Sequence, residues 1–227
     1  MGERSEVVIP LFGILDVTGE VIAMWIIVAA LALLSWLVTR NLKERPGKFQ
    51  NVIEYGVEYL DNFFAGIMGR EKSRKYFYFL GSLFIFIIVS NYSGLIPGVG
   101  LSKYLKAPSS SLSVTLGLGA VTFVFLQVSS IRARGMKGYI KRFVSPLFLL
   151  APLLILDEFI KPASLALRLF GNVFGEEAVT ENLYEILPIG APIIMMVLSL
   201  LFCAIQAVVF TMLTSIYLEE AVETDEE

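Results

Sequence analysis

Arg168 is the single charge in a 14-residue stretch, Pro162 to Gly175, whose centre reads Ser164-Leu165-Ala166-Leu167-Arg168-Leu169-Phe170-Gly171-Asn172. A guanidinium does not give up its proton in proteins, and at bilayer depth it costs from about 3 to more than 10 kcal/mol depending on the reference state. It must therefore face an anionic partner or a wet cavity. Asp157, Lys161, Ser164, Arg168, Asn172 and Gly175 follow one another at intervals of 4, 3, 4, 4 and 3, which keeps them on one helical face. Such a stripe lines a water path or a partner interface. A buried salt-bridge seam, with Asp157 and Lys161 paired at i,i+4, satisfies the same pattern. Glu177 lies nine residues past Arg168, about 180° around the helix, and reads either as the outer mouth of such a path or as a loop carboxylate.

The last apolar segment carries Ser199, Cys203, Gln206 and Tyr217. The Gln206 amide cannot stay unpaired in a dry bundle, and a facing Arg168 would satisfy its carbonyl. Ser199 is expected to bond back to its own helix. Histidine is absent, which removes the commonest metal ligand and the usual neutral-pH proton shuttle. Neither a metal nor an organic cofactor is expected, and no Gly-rich phosphate loop is present. A lone Cys203 allows no disulfide within the chain.

The elements that must position these residues belong to a bilayer. The chain is 56% hydrophobic and 17% charged, against about 25% charged in soluble domains. Its first residues carry Glu3, Glu6, Asp16 and Glu20 against Arg4 alone, unlike a cleaved signal peptide, so the first apolar segment is expected to remain. A crossing helix needs about 20 apolar residues. Val21–Thr39, Tyr76–Ser102 and Ala107–Ile131 meet that length. A fourth element runs from Phe143 through Asp157, Glu158 and Lys161 to Glu176, apolar enough to embed and too polar to face lipid all round. Ile186–Leu218 closes the set with 33 uncharged residues, about 50 Å of helix, so it must tilt, bend or protrude. Over Pro46–Arg70, Phe49, Val52, Ile53, Val57, Leu60, Phe63, Phe64, Ile67 and Met68 recur at three- and four-residue spacing. That pattern predicts an amphipathic helix on the membrane surface or against a soluble partner. Ser109-Ser110-Ser111 reads as a helix start. The fold class is therefore all-α and polytopic, one membrane domain over residues 1–227, with about five crossings and the last two helices long and tilted.

Basic residues set the orientation. Arg40, Lys43, Arg45, Lys48 and Arg70 to Lys75, then Arg132, Arg134, Lys137, Lys141 and Arg142, mark cytoplasmic loops, whereas Lys103 and Lys106, and separately Glu176, Glu177, Glu181 and Glu185, mark outer ones. The N-terminus is then outside and the acidic Glu219–Glu227 tail inside.

Lys161-Pro162-Ala163-Ser164-Leu165-Ala166-Leu167-Arg168-Leu169-Phe170-Gly171-Asn172, followed by Glu177, closely resembles the signature of the a subunit of F-type ATP synthases. Asn91-Tyr92-Ser93-Gly94-Leu95-Ile96-Pro97-Gly98 and Gln206 to Leu218 extend the resemblance over most of the chain. The resemblance implies a stator in the bacterial plasma (inner) membrane with no catalytic site of its own. Two offset half-channels would pass protons, or sodium ions, to and from carboxylates on a rotating c-subunit ring. It implies that Arg168 is the essential stator cation, Gln206 and Asn172 its polar partners, Glu177, Asn91 and Ser199 part of the outer half-channel, and Asp157 and Glu158 part of the inner one. Implied partners are the c ring, b-type peripheral stalk subunits, indirectly the F1 catalytic sector, and membrane lipid; no nucleic acid is implied. Ser199 and Gly94 depart from the pattern, standing where some relatives carry His or Glu and Asp, respectively. A self-contained transporter with Arg168 as an anion site and a scaffold with structural polar residues are the competing readings. The absence of an internal repeat and the small number of crossings weigh against the transporter.

Overall fold

A computed structural model describes residues 7–11, 15–40, 47–95, 107–144, 151–186 and 190–223. Six helices carry the structure: α1 (Gly19–Arg40), α2 (Lys48–Met68), α3 (Arg70–Ser93), α4 (Leu112–Val144), α5 (Ala151–Ile186) and α6 (Gly190–Val222). The all-helical reading holds for the bundle. It is preceded by one feature the periodicity did not announce, an antiparallel pair of short strands, β1 (Val7–Leu11) and β2 (Leu15–Thr18). Pro10 is tolerated there because a two-stranded ladder consists of edges.

The helices α1, α3, α4 and α6 are each long and apolar enough to cross a membrane. At 36 residues, about 54 Å, α5 is longer than any of them, and its charges are what separate it from the other four. In α1, Ala23 and Ile27 face the bundle from one side, while Trp25, Ile26, Leu33, Leu34 and Trp36 are exposed, the surface lipid would cover. The helix of the expected second span ends early: α3 stops at Ser93, Gly94 and Leu95 form a turn, and residues 96–102, with Lys103 and Lys106, lie outside the described residues. So do Lys43, Arg45, Pro188, the Ile96–Gly98 part of the resemblance and the last residues of the acidic tail.

The amphipathic segment forms α2, and its stripe divides in two. Phe64 and Met68 are buried with Tyr76, Leu80, Leu126, Leu218 and Val222, whereas Phe49 and Val52 at the far end stay open, as a surface helix requires. Ser73 donates to Asp61 at 3.0 Å and Arg70 to Asn62 at 2.8 Å, locking α2 onto α3 across Gly69. Gly69 adopts φ 79°, a left-handed conformation that a side chain would strain.

A 3₁₀ turn at Pro108–Ser110 leads into α4, where the Ser111 carbonyl accepts the Thr115 N–H at 3.1 Å. The chain breaks direction at Gly135, φ 71°. Twelve residues of straight helix would separate Gln127 from Tyr139 by about 18 Å, yet the Tyr139 hydroxyl donates to the Gln127 amide oxygen at 2.7 Å. The segment after Gly135 therefore folds back, carrying Arg142 toward α5.

A second core joins Leu83 and Ile87 of α3, Leu165 and Leu169 of α5, and Ala207 and Phe210 of α6. α4 approaches α5 closely at Gly119, where a Cβ would lie 3.0 Å from both the Ala166 Cβ and the Pro162 carbonyl oxygen.

Candidate functional site

One side of α5 is consumed by packing: Pro162, Leu165, Ala166, Leu169 and Val173 are buried. The opposite side is open. Ile160, Ala163, Ser164, Leu167 and Arg168 line a shallow groove on it. Arg168 makes no hydrogen bond or ion pair among the described residues, and Leu198, Leu201, Phe202 and Ile205 of α6 are likewise exposed. A permanent cation thus stands on an apolar surface without a counter-charge among the described residues.

The polar stripe does not bind Arg168 to Gln206. Gln206 is buried, but its carbonyl oxygen accepts from the Asn172 side chain one turn beyond the arginine. The expected Arg168–Gln206 contact is corrected here: the short Asn172 side chain reaches the buried amide from the interface, and the long guanidinium extends along the open side. Gln206 Nε2 has no partner among the described residues. On α6 the residues Ser199, Cys203, Gln206 and Phe210 are all buried at intervals of 4, 3 and 4, so the polar groups run along its inward seam.

Asn91 enters this seam from α3, its side-chain N–H donating to the Cys203 carbonyl at 3.4 Å, and the neighbouring Tyr92 hydroxyl donates to the Leu200 carbonyl at 3.1 Å. Asn91 Oδ1, Ser90 Oγ and Ser109 Oγ are buried and unpaired among the described residues. All three residues line one small cavity of about 10 Å³ between α3, the 3₁₀ turn, α4 and Leu169. That is room for about one water, which needs two to four polar partners. Ser199 bonds back to the Met195 carbonyl at 2.8 Å, as expected.

Gly94 also receives a physical account. A Cβ there would sit 2.8 Å from the Ala107 Cβ, so no acidic side chain fits without moving the 3₁₀ turn. Glu177 is exposed, whereas the preceding carboxylate, Glu176, is half-buried. The charge pattern placed Glu176 only among the outer acidic residues. Its signal was positional, since it lies seven residues after the buried Leu169 and three after the buried Val173.

At the other end of the bundle the two inner candidates sit in a charge network. Glu158 pairs with Arg142 at 3.0 Å and accepts from the Gln127 amide at 3.0 Å. Asp157 pairs with Lys161 at 3.3 Å, so the i,i+4 seam exists at this end of the stripe. Glu220 of α6 engages both Lys161 at 2.8 Å and Arg142 at 3.1 Å. Arg134 adds hydrogen bonds to the Glu220 and Ala221 carbonyls. The fold-back at Gly135 supplies Arg142, which the linear pattern had assigned only to a basic loop. Arg142→Ala should lower the melting temperature of the detergent-solubilised protein by an amount equivalent to about 1–3 kcal/mol, because it strands the nearly buried Glu158. Restoration by Glu158→Gln in that background is the signature; no loss in the single variant would mean that the pair carries no weight.

Apolar helices of bilayer length, an arginine on the open face of α5 and a buried polar seam between α3, α5 and α6 mark an integral membrane protein of the ion-transport class. Residues 21–219 match the ATP synthase A chain family, and the chain belongs to it. It is 38% identical over 206 residues to ATP synthase subunit a of Moorella thermoacetica, a similarity covering 91% of each chain.

Proposed function

We propose that this chain is the stator a subunit of a rotary ATP synthase in a bacterial plasma membrane. It would pass protons, or sodium ions, through two offset half-channels to and from the carboxylates of a c-subunit ring. The observation that carries this reading is Arg168, without a partner among the described residues, on an exposed apolar face. Such a face is stable against a partner that is apolar around one acidic group, which is what a ring carboxylate moving through lipid must be. A ring carboxyl crosses lipid neutral or ion-bound, because its bare charge is costly there. Beside a fixed guanidinium the charged form is favoured, so the proton leaves into one aqueous path and another arrives from the second path. Two paths ending on opposite sides of Arg168 convert a potential worth about 2.3 kcal/mol per charge per 100 mV into direction.

Glu177, Asn91 and Ser199 are assigned to the outer path, Asp157 and Glu158 to the cytoplasmic one, and Gln206 and Asn172 to the polar pair near Arg168. The ion pairs at Asp157 and Glu158 make these groups a charged frame around that entry. The chain contributes ion handling to ATP synthesis and no catalytic site of its own; nucleotide chemistry belongs to the F1 sector. A b-type peripheral stalk would hold the subunit against the ring.

A mass spectrum of the complex released in mild detergent tests the reading, with a c ring and stalk subunits expected alongside this chain. Topology is tested by single cysteines in a Cys203→Ser background. Positions 72 and 137 should label from the cytoplasm and position 177 from outside. Labelling of position 137 from outside alone would reverse the scheme.

A further inference from the structure

We propose that Glu220, on α6, is the charge-balancing residue of the cytoplasmic path. By neutralising the cluster that holds Lys161, it leaves Arg168 as the one uncompensated cation of the α5 stripe and lets cations load the ring from the cytoplasm. This rests on the stator reading and deepens it by naming a residue, outside the arginine helix, that governs one direction of transport.

The stripe carries two cations, Lys161 and Arg168, seven residues and about 10 Å apart on one face. Their surroundings are opposite. Arg168 lines the open groove without a partner among the described residues. Lys161 is drawn toward α6: its Nζ donates to both carboxylate oxygens of Glu220, at 2.9 and 2.8 Å, and lies 5.4 Å from the centre of the Tyr217 ring. Its other counter-ion, Asp157 of the same helix, is more distant at 3.3 Å. Glu220 also accepts from Arg142 at 3.1 Å, and Arg142 in turn pairs with Glu158 at 3.0 Å. Arg134 reaches the same place through the Glu220 and Ala221 carbonyls. Three cations, Arg134, Arg142 and Lys161, thus meet three carboxylates, Asp157, Glu158 and Glu220, for a net charge of zero. The adjacent Lys72–Glu219 pair adds none. Glu220 is the member that touches cations from both α4 and α5.

A fastener between these helices needs only a hydrogen-bonding side chain; a carboxylate adds charge. Without that charge the cluster stands at +1, about two helical turns from Arg168. A positive cluster beside the cytoplasmic path lowers the local concentration of the entering cation and favours the ionised form of a ring carboxylate passing it. Both effects slow loading from the cytoplasm, the step that ATP-driven pumping requires. Neither slows release into the cytoplasm, the step that gradient-driven synthesis requires. A loosened helix contact would lower both directions alike.

The test measures ATP-driven ion uptake, with the ion limiting on the cytoplasmic side, and gradient-driven ATP synthesis, both per assembled complex in inverted membrane vesicles. Glu220→Gln keeps a hydrogen-bond partner for Lys161 and loses the charge, so the ratio of uptake to synthesis should fall about threefold or more. Glu220→Asp keeps the charge and should keep the wild-type ratio. Lys161→Gln leaves the cluster at −1 and should raise the ratio; combined with Glu220→Gln it should bring the ratio back. A wild-type ratio in Glu220→Gln, or equal losses in both directions, would overturn the proposal and reduce Glu220 to a fastener of α6 onto α4 and α5. If Glu220→Gln does not assemble, Lys161→Gln decides, and an unshifted ratio there overturns it equally. Arg168→Ala membranes run in parallel separate the two readings, since coupled transport surviving in them would sink the stator function itself, whatever Glu220 does.

Discussion

Membranes carrying Arg168→Ala are expected to assemble the complex at near-normal yield, to make no ATP from an imposed ion gradient and to pump nothing on ATP addition. Yield should survive because Arg168 has no partner among the described residues and packs into no core, so its loss leaves no buried group unpaired. Coupling should vanish because the guanidinium is what favours the ionised ring carboxylate at the stator. Without it, protonated carboxyls pass between the two paths unhindered, and passive ion flux through the membrane sector should persist or rise. Lysine should restore coupling incompletely, since its ammonium is a deprotonatable point charge without the planar fork. Complex yield, ATP synthesis and passive flux on the same membranes decide the matter. Coupled synthesis close to wild-type rates per assembled complex would refute the mechanism.

Gly119→Leu should do the reverse and remove the subunit while leaving every ion-handling residue in place. Even a single added Cβ at 119 meets the Ala166 Cβ and the Pro162 carbonyl oxygen at 3.0 Å. The second of these is backbone and cannot rotate away. Overpacking of this kind costs about 1–3 kcal/mol for small additions, and a leucine must push α4 off α5 along the contact that supports the arginine helix. Alanine at 119 should lower the melting temperature measurably in detergent; leucine should leave little subunit in the membrane by immunoblot. Gly117→Ala is the matched control, because a Cβ there meets nothing within 4 Å and the helix gains propensity worth about 0.5–1 kcal/mol. Equal abundance of Gly119→Leu and wild type would show that the helices have slack at this crossing.

Local chemistry in this chain was readable from sequence, and chemistry requiring a second helix was not. The intervals that place Lys161, Arg168 and Asn172 on one face needed only the helical repeat, as did the amphipathic stripe of α2. Which partner each polar group takes depended on side-chain reach across an interface. Asn172 captures Gln206, where the sequence suggested Arg168. Arg142 reaches Glu158 only because Gly135 turns the chain back, and a glycine's φ is not written in an apolar pattern. Glu176 and Glu177 are adjacent and alike in composition; the packing register of α5 separates them, and that register is set by Leu165, Leu169 and Val173.

The approach of Ala107 to Gly94 bears on how such a subunit can diverge. Residues 94 and 107 occupy one space between them, so their histories are tied. An acidic residue cannot arrive at 94 as a single neutral step while alanine stands at 107 and the 3₁₀ turn holds its place. The turn must first shift or the residue at 107 must shrink to glycine. A glycine-to-acid change at 94 is therefore a two-step crossing whose order is constrained. A chain with glycine at 94 and alanine at 107 gains a carboxylate more easily at a position with open space around its Cβ than at 94.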